Sequence, residues 1–480
     1  MLFPTVSFAV FFTGVFALSW AMRARVEGRK AFLLVASYVF YGWWDWRFCF
    51  LLAFASLVAW ASGLLLVQDK CKSGVEKRTG KLILAIAVTV LLGILAFFKY
   101  YGFFLDSLQD LLFALNLQRD LPFLQIVLPV GISFFTFQAI SYVVDVWRGQ
   151  VTARRSPLDV MLYISFFPQL VAGPIVRAAD FLPQLEKPAQ LARPMVTVGL
   201  MLCLFGLFKK MVVANYLATD LVDPVFLDPA DHSSLDVLMA VYGYAVQIYC
   251  DFSGYSDIAI GTALLLGYRF AENFNQPYRA VRLQDFWRRW HISLSGWLRD
   301  YFYIPLGGSR PTKKRGSRFG ALLTYRNLLL TMVLGGLWHG AAWTFLLWGT
   351  IHGAWLALER LAGLNENKST GGAIAGWFIT FHLVCLAWVF FRAENMDGAL
   401  TMLATFAAFE AGPSILTWFA LALIFTSLAF QFGPARLPNR TGAMLGTMPL
   451  WITGLIFISG LLLTLWLAPG GTAPFIYFQF

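Results

Sequence analysis

Charged residues are scarce in this 480-residue chain, where they make up 13% of the sequence while apolar residues make up 59%. Soluble domains carry roughly 25% charged residues. The scarcity excludes an ordinary soluble fold and predicts an all-α, polytopic membrane protein, whose core is built by packing spans against one another. We treat residues 1–480 as one membrane domain, with its motif-bearing core at about 236–358.

Several motifs of catalysis and binding are also missing. The sequence has no GxSxG elbow, no HExxH pair and no Walker loop, which argues against a serine hydrolase, a zinc protease and an ATP-driven pump. The five cysteines show no CxxC spacing, so they predict neither a disulfide framework nor a zinc site, and we expect no metal. A fixed repeat and the inverted, interrupted helices of secondary transporters are absent as well.

Apolar segments of about 20 residues, long enough to cross a bilayer, occur along the whole sequence. They lie at 2–22, 47–67, 82–104, 122–147, 195–217, 236–266, 319–337, 341–358, 374–391, 414–432 and 449–467. Shorter apolar segments at 31–44 and 158–175 predict tilted or re-entrant helices beside an enclosed cavity. The expected total is about 11–13 transmembrane helices, with re-entrant and interfacial amphipathic helices in addition.

The net charge of +11 is concentrated in one loop. Residues 269–318 hold eleven Arg and Lys against three acids, which is +8 of that total. The positive-inside rule places this loop in the cytoplasm, and an added role in binding a phosphorylated or anionic ligand stays open. Residues 220–236 contain five Asp and no Lys or Arg, which predicts the outer face.

Residues 284–301 show helical spacing of large apolar side chains. One wide face carries Trp287, Trp290, His291, Leu294, Trp297, Leu298 and Tyr301. We expect a single helix here, with His291 facing the aromatic side chains. The alternative is an interfacial amphipathic helix whose tryptophans lie at headgroup level.

His339 lies in an apolar run and is flanked by Gly335, Gly336 and Gly340. An imidazole at membrane depth needs a polar partner or a function, because burying an unpaired polar group is costly. The glycines remove side-chain bulk, so that backbone or substrate can approach the ring closely. We therefore interpret His339 as a functional residue.

The other histidines have simpler interpretations. His352, with tryptophans at i−4 and i+3, and His382 are interpreted as packed helix histidines, and His232 as a solvated loop residue.

A polar block interrupts the apolar segment 236–266. It contains Asp251, Ser253, Ser256 and Asp257, which we predict to line a cavity, because polar groups are rare in membrane helices without such a purpose. Pairing of Asp251 or Asp257 with an arginine of the next helix is the structural alternative. Cys250 is a poor candidate nucleophile, since no base lies beside it.

A histidine-centred site in a membrane enclosure, reachable from a basic cytoplasmic face, suits general-base activation of a hydroxyl against an activated acyl donor. At these residues the chain resembles the membrane-bound O-acyltransferase family, in particular the bacterial branch of the alginate O-acetylation and teichoic-acid D-alanyl transfer proteins. The matching blocks, which span nearly the whole chain, are SYVFYGWW (37–44), YCDFSGYSDIAIG (249–261), NFNQPY (273–278), FWRRWHISLSGWLRD (286–300), YIPLGG (303–308), GGLWHG (335–340), WGTIHG (348–353) and FIYFQF (475–480).

The resemblance implies that His339 is catalytic, in a channel through a thinned membrane core, and that His291 is a second functional histidine. We expect Trp338 to line this channel with the polar block. Acyl groups would pass from a cytoplasmic donor to an extracytoplasmic acceptor, with periplasmic partner proteins completing transfer to polysaccharide hydroxyls. Alginate, acetylated cellulose and other exopolysaccharides stay open as acceptors.

Our hypothesis is an O-acetyltransferase of the bacterial inner membrane, without a bound cofactor and without nucleic acid as a partner. Its donor would be acetyl-CoA or another acyl thioester, attracted by the basic side chains of the cytoplasmic loop. These candidate donor-binding residues are Arg288, Arg289, Lys313, Lys314 and Arg315. The rival hypotheses are a transporter and a non-catalytic membrane anchor that serves an extracytoplasmic polysaccharide-modifying enzyme.

Overall fold

The computed structural model describes residues 1–69, 76–117, 121, 124–190, 192–309, 318–363, 370–470 and 475–476. All regular elements in these ranges are helical, which confirms the prediction of an all-α polytopic membrane protein. Contacts divide the chain into two compact units, Met1–Val196 with Thr262–Ala271, and Thr197–Gly261 with Glu272–Phe480. The single membrane domain expected from the sequence stays a prediction.

Eight α-helices lie in the first unit among its described residues. They are α1 (Val6–Ala21), α2 (Val26–Asp45), α3 (Phe48–Asp69), α4 (Glu76–Ala114), α5 (Ile132–Arg148), α6 (Pro157–Ser165), α7 (Phe167–Leu170) and α8 (Ala178–Phe181), followed by a 3₁₀ turn at Leu182–Leu185.

The second unit begins within α9 and holds the later elements, except that the last residues of α12 belong to the first unit. Its helices are α9 (Arg193–Phe208), α10 (Asn215–Leu217), α11 (Asp223–Leu227), α12 (Ser234–Leu265), α13 (Leu283–Arg289), α14 (Ile292–Leu298), α15 (Arg318–His339), α16 (Trp343–Leu361), α17 (Thr370–Arg392), α18 (Met396–Ala408), α19 (Trp418–Phe430), α20 (Leu437–Leu445) and α21 (Leu450–Leu467). Segments of π-helix lie at Lys209–Ala214, Ala218–Val222 and Arg299–Tyr303, and 3₁₀ turns at Pro229–Asp231 and Pro277–Arg279.

Six helical stretches of the described chain are long and apolar enough to cross a membrane. They are Phe48–Leu66, Arg78–Ala114, Arg193–Leu227, Gly320–His339, Gly371–Arg392 and Leu450–Leu467. Each of the eleven long apolar segments predicted from the sequence contains a helix. The expected total of 11–13 transmembrane helices goes beyond these six stretches and stays a prediction.

Several helix boundaries differ from the predicted ones. The segment predicted at 122–147 becomes helical only at Ile132, because Pro129 and the left-handed Gly131 (φ +76°) delay its start. The segment at 31–44 is longer than expected and belongs to the 20-residue α2. The segment at 158–175 is divided between α6 and α7 at Phe166, in agreement with the expectation of a helix too short to span.

The helix expected over 284–301 is interrupted, so that prediction was wrong in its continuity. α13 ends at Arg289 and α14 begins at Ile292, with Trp290 extended and His291 in the left-handed region (φ +41°, ψ 55°). After the π-segment the chain turns at residues 304–309, which contain Pro305, Gly307 and Gly308.

Candidate active site

Three histidines of the second unit belong to one aromatic cluster. His291, His339 and His352 are at most 3% exposed. Their rings alternate with tryptophan rings, since Trp338 contacts both His291 and His339, while Trp348 contacts both His339 and His352. The folded chain thus brings together histidines that are 48 and 13 positions apart in sequence.

His339 is the last residue of the apolar helix α15. Its ring centroid lies 5.0 Å from that of Trp338, 5.1 Å from Trp348 and 5.2 Å from Phe391, each in an edge-on arrangement. Aromatic rings packed around the imidazole in this way exclude water from it. Electrostatic interactions in such an enclosure are stronger than in water.

The glycines before and after His339 serve helix packing. A Cβ atom on Gly336 would lie only 2.2 Å from the carbonyl oxygen of Phe345, and one on Gly340 would overlap the Phe345 ring. On the facing helix, a Cβ on Gly349 would lie 2.3 Å from the Met332 carbonyl oxygen. The sequence predicted a close approach of backbone or substrate, and the structure places the backbone and Phe345 of α16 there, which sets Trp348 against His339.

Asn273 orients His291. Its Oδ1 accepts the backbone N–H of Ser293 (3.1 Å) and its Nδ2 donates to Ser256 Oγ (3.2 Å), which determines how the amide is turned. Asn273 Oδ1 also lies 3.2 Å from His291 Nδ1. Because that oxygen can only accept, Nδ1 carries the proton and Nε2 keeps the lone pair.

Three aromatic rings also surround His291. The ring centroid lies 4.6 Å from Phe252, 5.9 Å from Trp338 and 6.4 Å from Phe274, which confirms that His291 faces aromatic side chains. His291 lies outside the six apolar stretches, and burial lowers the pKa of its imidazole to about 3. The ring is therefore neutral at physiological pH, as a general base or a hydrogen-bond acceptor must be.

His352 is held by tryptophans on two helices. Its ring lies 4.6 Å from Trp348 and 5.3 Å from Trp287, and Trp287 Nε1 donates to His352 Nδ1 at 3.3 Å. The contact with Trp348 is the one expected from the i−4 spacing. The same cluster also includes Trp388, whose ring stacks on Trp348 at 5.9 Å.

Side chains of the polar block of α12 form ion pairs and hydrogen bonds with two lysines. Asp251 pairs with Lys210 at 2.7 Å, both nearly unexposed, and Asp257 pairs with Lys209, which also donates to Ser253 Oγ at 2.9 Å. The partners are thus lysines of the π-segment after α9 rather than an arginine of the next helix. A π-helical turn widens the helix and is frequent at functional sites.

The chain end also reaches this block. The backbone N–H of Ile476 donates to Asp251 Oδ2 at 2.8 Å, and the Phe475 ring lies 4.1 Å from Tyr255 and 5.9 Å from Phe252. Because Phe252 contacts His291, the described C-terminal residues pack one ring away from that histidine.

Of the predicted donor-binding residues, the structure describes the two arginines of α13. Arg288 is exposed, whereas Arg289 is paired with Asp285 at 2.9 Å, one helical turn earlier. Lys313, Lys314 and Arg315 lie outside the described residues.

The sequence indicates no catalytic role for His382 or Cys250. His382 is packed in α17, with its Nε2 2.7 Å from the hydroxyl of Tyr242, as expected for a helix histidine. Cys250 is a buried free thiol. Among the described residues, no group of three or more His, Cys, Asp or Glu side chains could hold a metal ion.

Sequence reasoning missed Asn273 and Trp287 as partners of histidines. Asn273 lies in the NFNQPY block, and its amide side chain next to aromatic residues could have indicated a hydrogen-bond partner for a buried group. Trp287 was assigned to the same helix face as His291. Its hydrogen bond joins it to His352, 65 positions later in the sequence, and local spacing cannot predict such a contact.

The protein is similar over its whole length to known acyltransferases. Residues 151–370 match the membrane-bound O-acyltransferase family, MBOAT. "Probable alginate O-acetylase AlgI" of Pseudomonas aeruginosa is 40% identical over 452 residues, which cover 94% of this chain and 80% of that protein. The protein of the same name from Pseudomonas putida is 38% identical, with all of both chains covered.

A relative named for a different polymer is nearly as similar. "Peptidoglycan O-acetyltransferase" of Helicobacter pylori is 38% identical over 402 residues, which cover 78% of this chain and 73% of that protein. With its helical membrane fold, its histidine cluster and these relatives, the chain belongs to the membrane-bound O-acyltransferase family.

Proposed function

We propose that this protein is the membrane component that O-acetylates an exopolysaccharide, with alginate or a similar polymer as acceptor. The single observation that carries the proposal is the position of His339, buried at the end of an apolar helix and linked to His291 through one tryptophan ring. The relatives named for O-acetylation of alginate and peptidoglycan support acetyl transfer to carbohydrate hydroxyls.

His339 acts as the general base in this proposal. Its imidazole takes the proton of the acceptor hydroxyl, whose oxygen attacks the carbonyl carbon of the acetyl thioester. The C–O bond forms, the C–S bond breaks, and the thiolate leaves with the proton that His339 had taken. Base catalysis of this kind is worth typically about 10² to 10⁴ in rate. His291, fixed by Asn273, positions the reactants beside Trp338.

The donor is a cytoplasmic acetyl thioester such as acetyl-CoA. The exposed Arg288 supports electrostatic attraction of its phosphates, whereas Arg289 is already neutralised in part by Asp285. If Arg288 contributes, binding weakens as salt screens the charge, because the Debye length falls from about 10 Å at 0.1 M to about 3 Å at 1 M. The lysines at 313 and 314 and Arg315 extend the same basic loop in the sequence.

We place the protein in the bacterial inner membrane, with extracytoplasmic polysaccharide O-acetylation proteins as partners. A donor made in the cytoplasm and an acceptor outside it require a carrier of the acetyl group through the bilayer. The six stretches that are long and apolar enough to cross a membrane support a location in a membrane.

The test is the ester content of secreted polysaccharide in cells that produce wild-type protein, His339→Ala or His291→Ala at matched membrane levels. We expect His339→Ala to abolish the esters and His291→Ala to reduce them strongly. His232→Ala, in the acidic loop, is the matched control and should retain them. Normal esters with His339→Ala would instead favour a non-catalytic anchor that recruits the transferase.

A further inference from the structure

Three polar atoms of α16 are buried without a hydrogen bond to any residue that the structure describes. They are Thr344 Oγ1, Trp348 Nε1 and His352 Nε2. The three side chains are at most 2% exposed. An unsatisfied buried donor destabilises a folded protein. Because the three atoms lie on one helix, a single bound molecule could supply hydrogen-bond partners to all of them.

Two of the three atoms can only donate. A tryptophan N–H is a donor without acceptor capacity, which applies to Trp348 Nε1. Trp287 Nε1 donates to His352 Nδ1 at 3.3 Å, so Nδ1 accepts and the proton of the neutral imidazole lies on Nε2. The Thr344 hydroxyl can donate as well. A ligand for this face therefore has to supply acceptors.

The three residues lie on one face of α16. They follow one another at i, i+4 and i+8, which places them about 6 Å apart along the helix axis. The middle one, Trp348, has its ring 5.1 Å from that of His339. A molecule bound along this face is therefore next to the proposed general base.

The surroundings favour an uncharged ligand atom. Trp348 is enclosed by the rings of Trp287, Trp388 and Phe391, at 5.7, 5.9 and 5.4 Å. A phosphate or carboxylate would be costly to bury among these rings. A hydroxyl would bring a donor that needs its own acceptor, whereas a carbonyl oxygen brings none.

We propose that Trp348 and His352, whose rings lie 4.6 Å apart, donate to the thioester carbonyl oxygen and hold the reactive carbon beside His339, while Thr344 donates to an amide carbonyl oxygen of the same donor molecule. The inference rests on the proposed acyl transfer and adds the binding residues for the donor's carbonyl groups. The packed helix histidine inferred from the sequence thereby becomes a substrate-binding residue, whose tautomer is set by Trp287.

The test compares two ligands that differ in one oxygen. Acetyl-CoA has the thioester carbonyl, and S-ethyl-CoA has a methylene group in its place. Binding of each to the purified, full-length protein in lipid nanodiscs is measured by calorimetry. We expect the wild type to prefer acetyl-CoA, and Trp348→Phe or His352→Phe to lose about fivefold to tenfold of that preference, the usual worth of one hydrogen bond. Binding of S-ethyl-CoA should be unchanged.

The control variants are on the same helix. Thr350→Val removes a hydroxyl that already donates to the Leu346 carbonyl at 2.8 Å, and Trp343→Phe changes a largely exposed ring. Both should bind the two ligands as the wild type does, whereas the isosteric Thr344→Val should weaken the binding of both ligands, because S-ethyl-CoA keeps the amide carbonyls. Thr344→Val also serves as the test if Trp348→Phe or His352→Phe melts at a much lower temperature than the wild type.

Two results would overturn the inference. One is equal affinity of the wild type for both ligands, which would mean that water alone occupies these donors. The other is an unaltered preference in well-folded Trp348→Phe and His352→Phe, together with unaltered binding of both ligands by Thr344→Val. Failure of the proposed function looks different, because His339→Ala cells would then form normal esters whatever the ligand preference of the purified protein.

Discussion

Hydrogen bonds to Asn273 give the His291 ring its direction. One amide oxygen receives the backbone N–H and the hydroxyl of Ser293 and lies beside His291 Nδ1. These groups are largely removed from water, so the oxygen satisfies several donors at once. The left-handed backbone of His291 turns the chain so that this arrangement is possible.

Asn273→Ala should therefore lower both stability and transfer. Each buried donor that loses its partner costs about 1–3 kcal/mol of folding free energy. Displacement of a positioned group by about 1 Å can lower a rate roughly 10²-fold, so we expect at least a tenfold fall in polysaccharide esters. Thermal melts in detergent and ester assays measure the two effects. The control is Asn395→Ala, which removes the N-cap of α18, and a loss of transfer equal to the control's would contradict the role of Asn273.

The lowered pKa of His291 predicts a pH dependence of stability. The folded-state pKa is about 3 and the unfolded value is about 6.5. Above about pH 6.5 both states are neutral at this ring. Between about pH 6.5 and 3 the unfolded state binds a proton that the folded state excludes, so stability falls by about 1.4 kcal/mol per pH unit.

Comparison with His291→Asn isolates this contribution. Melting temperatures of the wild type and the variant are measured from pH 7.5 to 5. We expect the wild type to lose more stability than the variant below pH 6.5, and parallel curves would show that His291 does not titrate between the two states.

The sequence could predict which histidines are functional candidates, but it could not predict their hydrogen-bond partners. His339 and His291 stand out because an imidazole in an apolar sequence is conspicuous. The hydrogen bonds of Asn273 and Trp287 join residues far apart in the chain, and they depend on how helices pack. Local spacing carries no information about such contacts.

The positions of the helices could be predicted from the lengths of the apolar segments. The interruptions within helices could not always be predicted. The interruption at Trp290 has no proline or glycine as a signal, and the helical spacing of aromatic residues continues through it. The Asn273 carbonyl accepts the Ile292 N–H, and the side chain of the same residue accepts the Ser293 N–H, which replaces intrahelical bonds at the start of α14. A tertiary contact thus ends one helix and begins the next.

The packing of α15 on α16 gives a test with two adjacent glycines. A methyl group on Gly336 would collide with the Phe345 carbonyl oxygen at 2.2 Å, whereas on Gly335 it would meet only Leu298 Cδ1 at 3.3 Å. Gly336→Ala should separate the helices, withdraw Trp348 from His339 and cost about 1–3 kcal/mol or more, as overpacking does. Gly335→Ala should retain most stability and transfer.

Membrane yield, melting temperature and ester content distinguish the two glycine variants. Equal behaviour of both would mean that the close approach of α15 and α16 is not required for the site.

For the whole molecule, hydropathy and charge predict two different properties, the fold class and the orientation in the membrane. The apolar segments predicted the all-α membrane fold, but the number of spans depends on short helices such as α1 and α19, which have 16 and 13 residues. Tilt and packing decide whether helices of that length cross a bilayer. The separation of basic and acidic loops, by contrast, predicts the orientation of the chain.

Site-specific labelling tests that orientation. Asp231→Cys lies in the acidic segment 220–236 and Arg279→Cys in the basic loop 269–318. Arg23→Cys lies in a second basic segment, residues 23–30, which contains three arginines and a lysine. All three positions are exposed. A membrane-impermeant maleimide applied to spheroplasts should label the cysteine at 231, because the positive-inside rule leaves the acidic loop outside. The cysteines at 23 and 279 should react only after the membrane is opened. The described native cysteines are at least half-buried, so the wild type is the background control. Labelling of position 279 in intact spheroplasts would place the arginines of α13 on the side away from cytoplasmic acetyl-CoA, and a direct cytoplasmic donor would then be wrong.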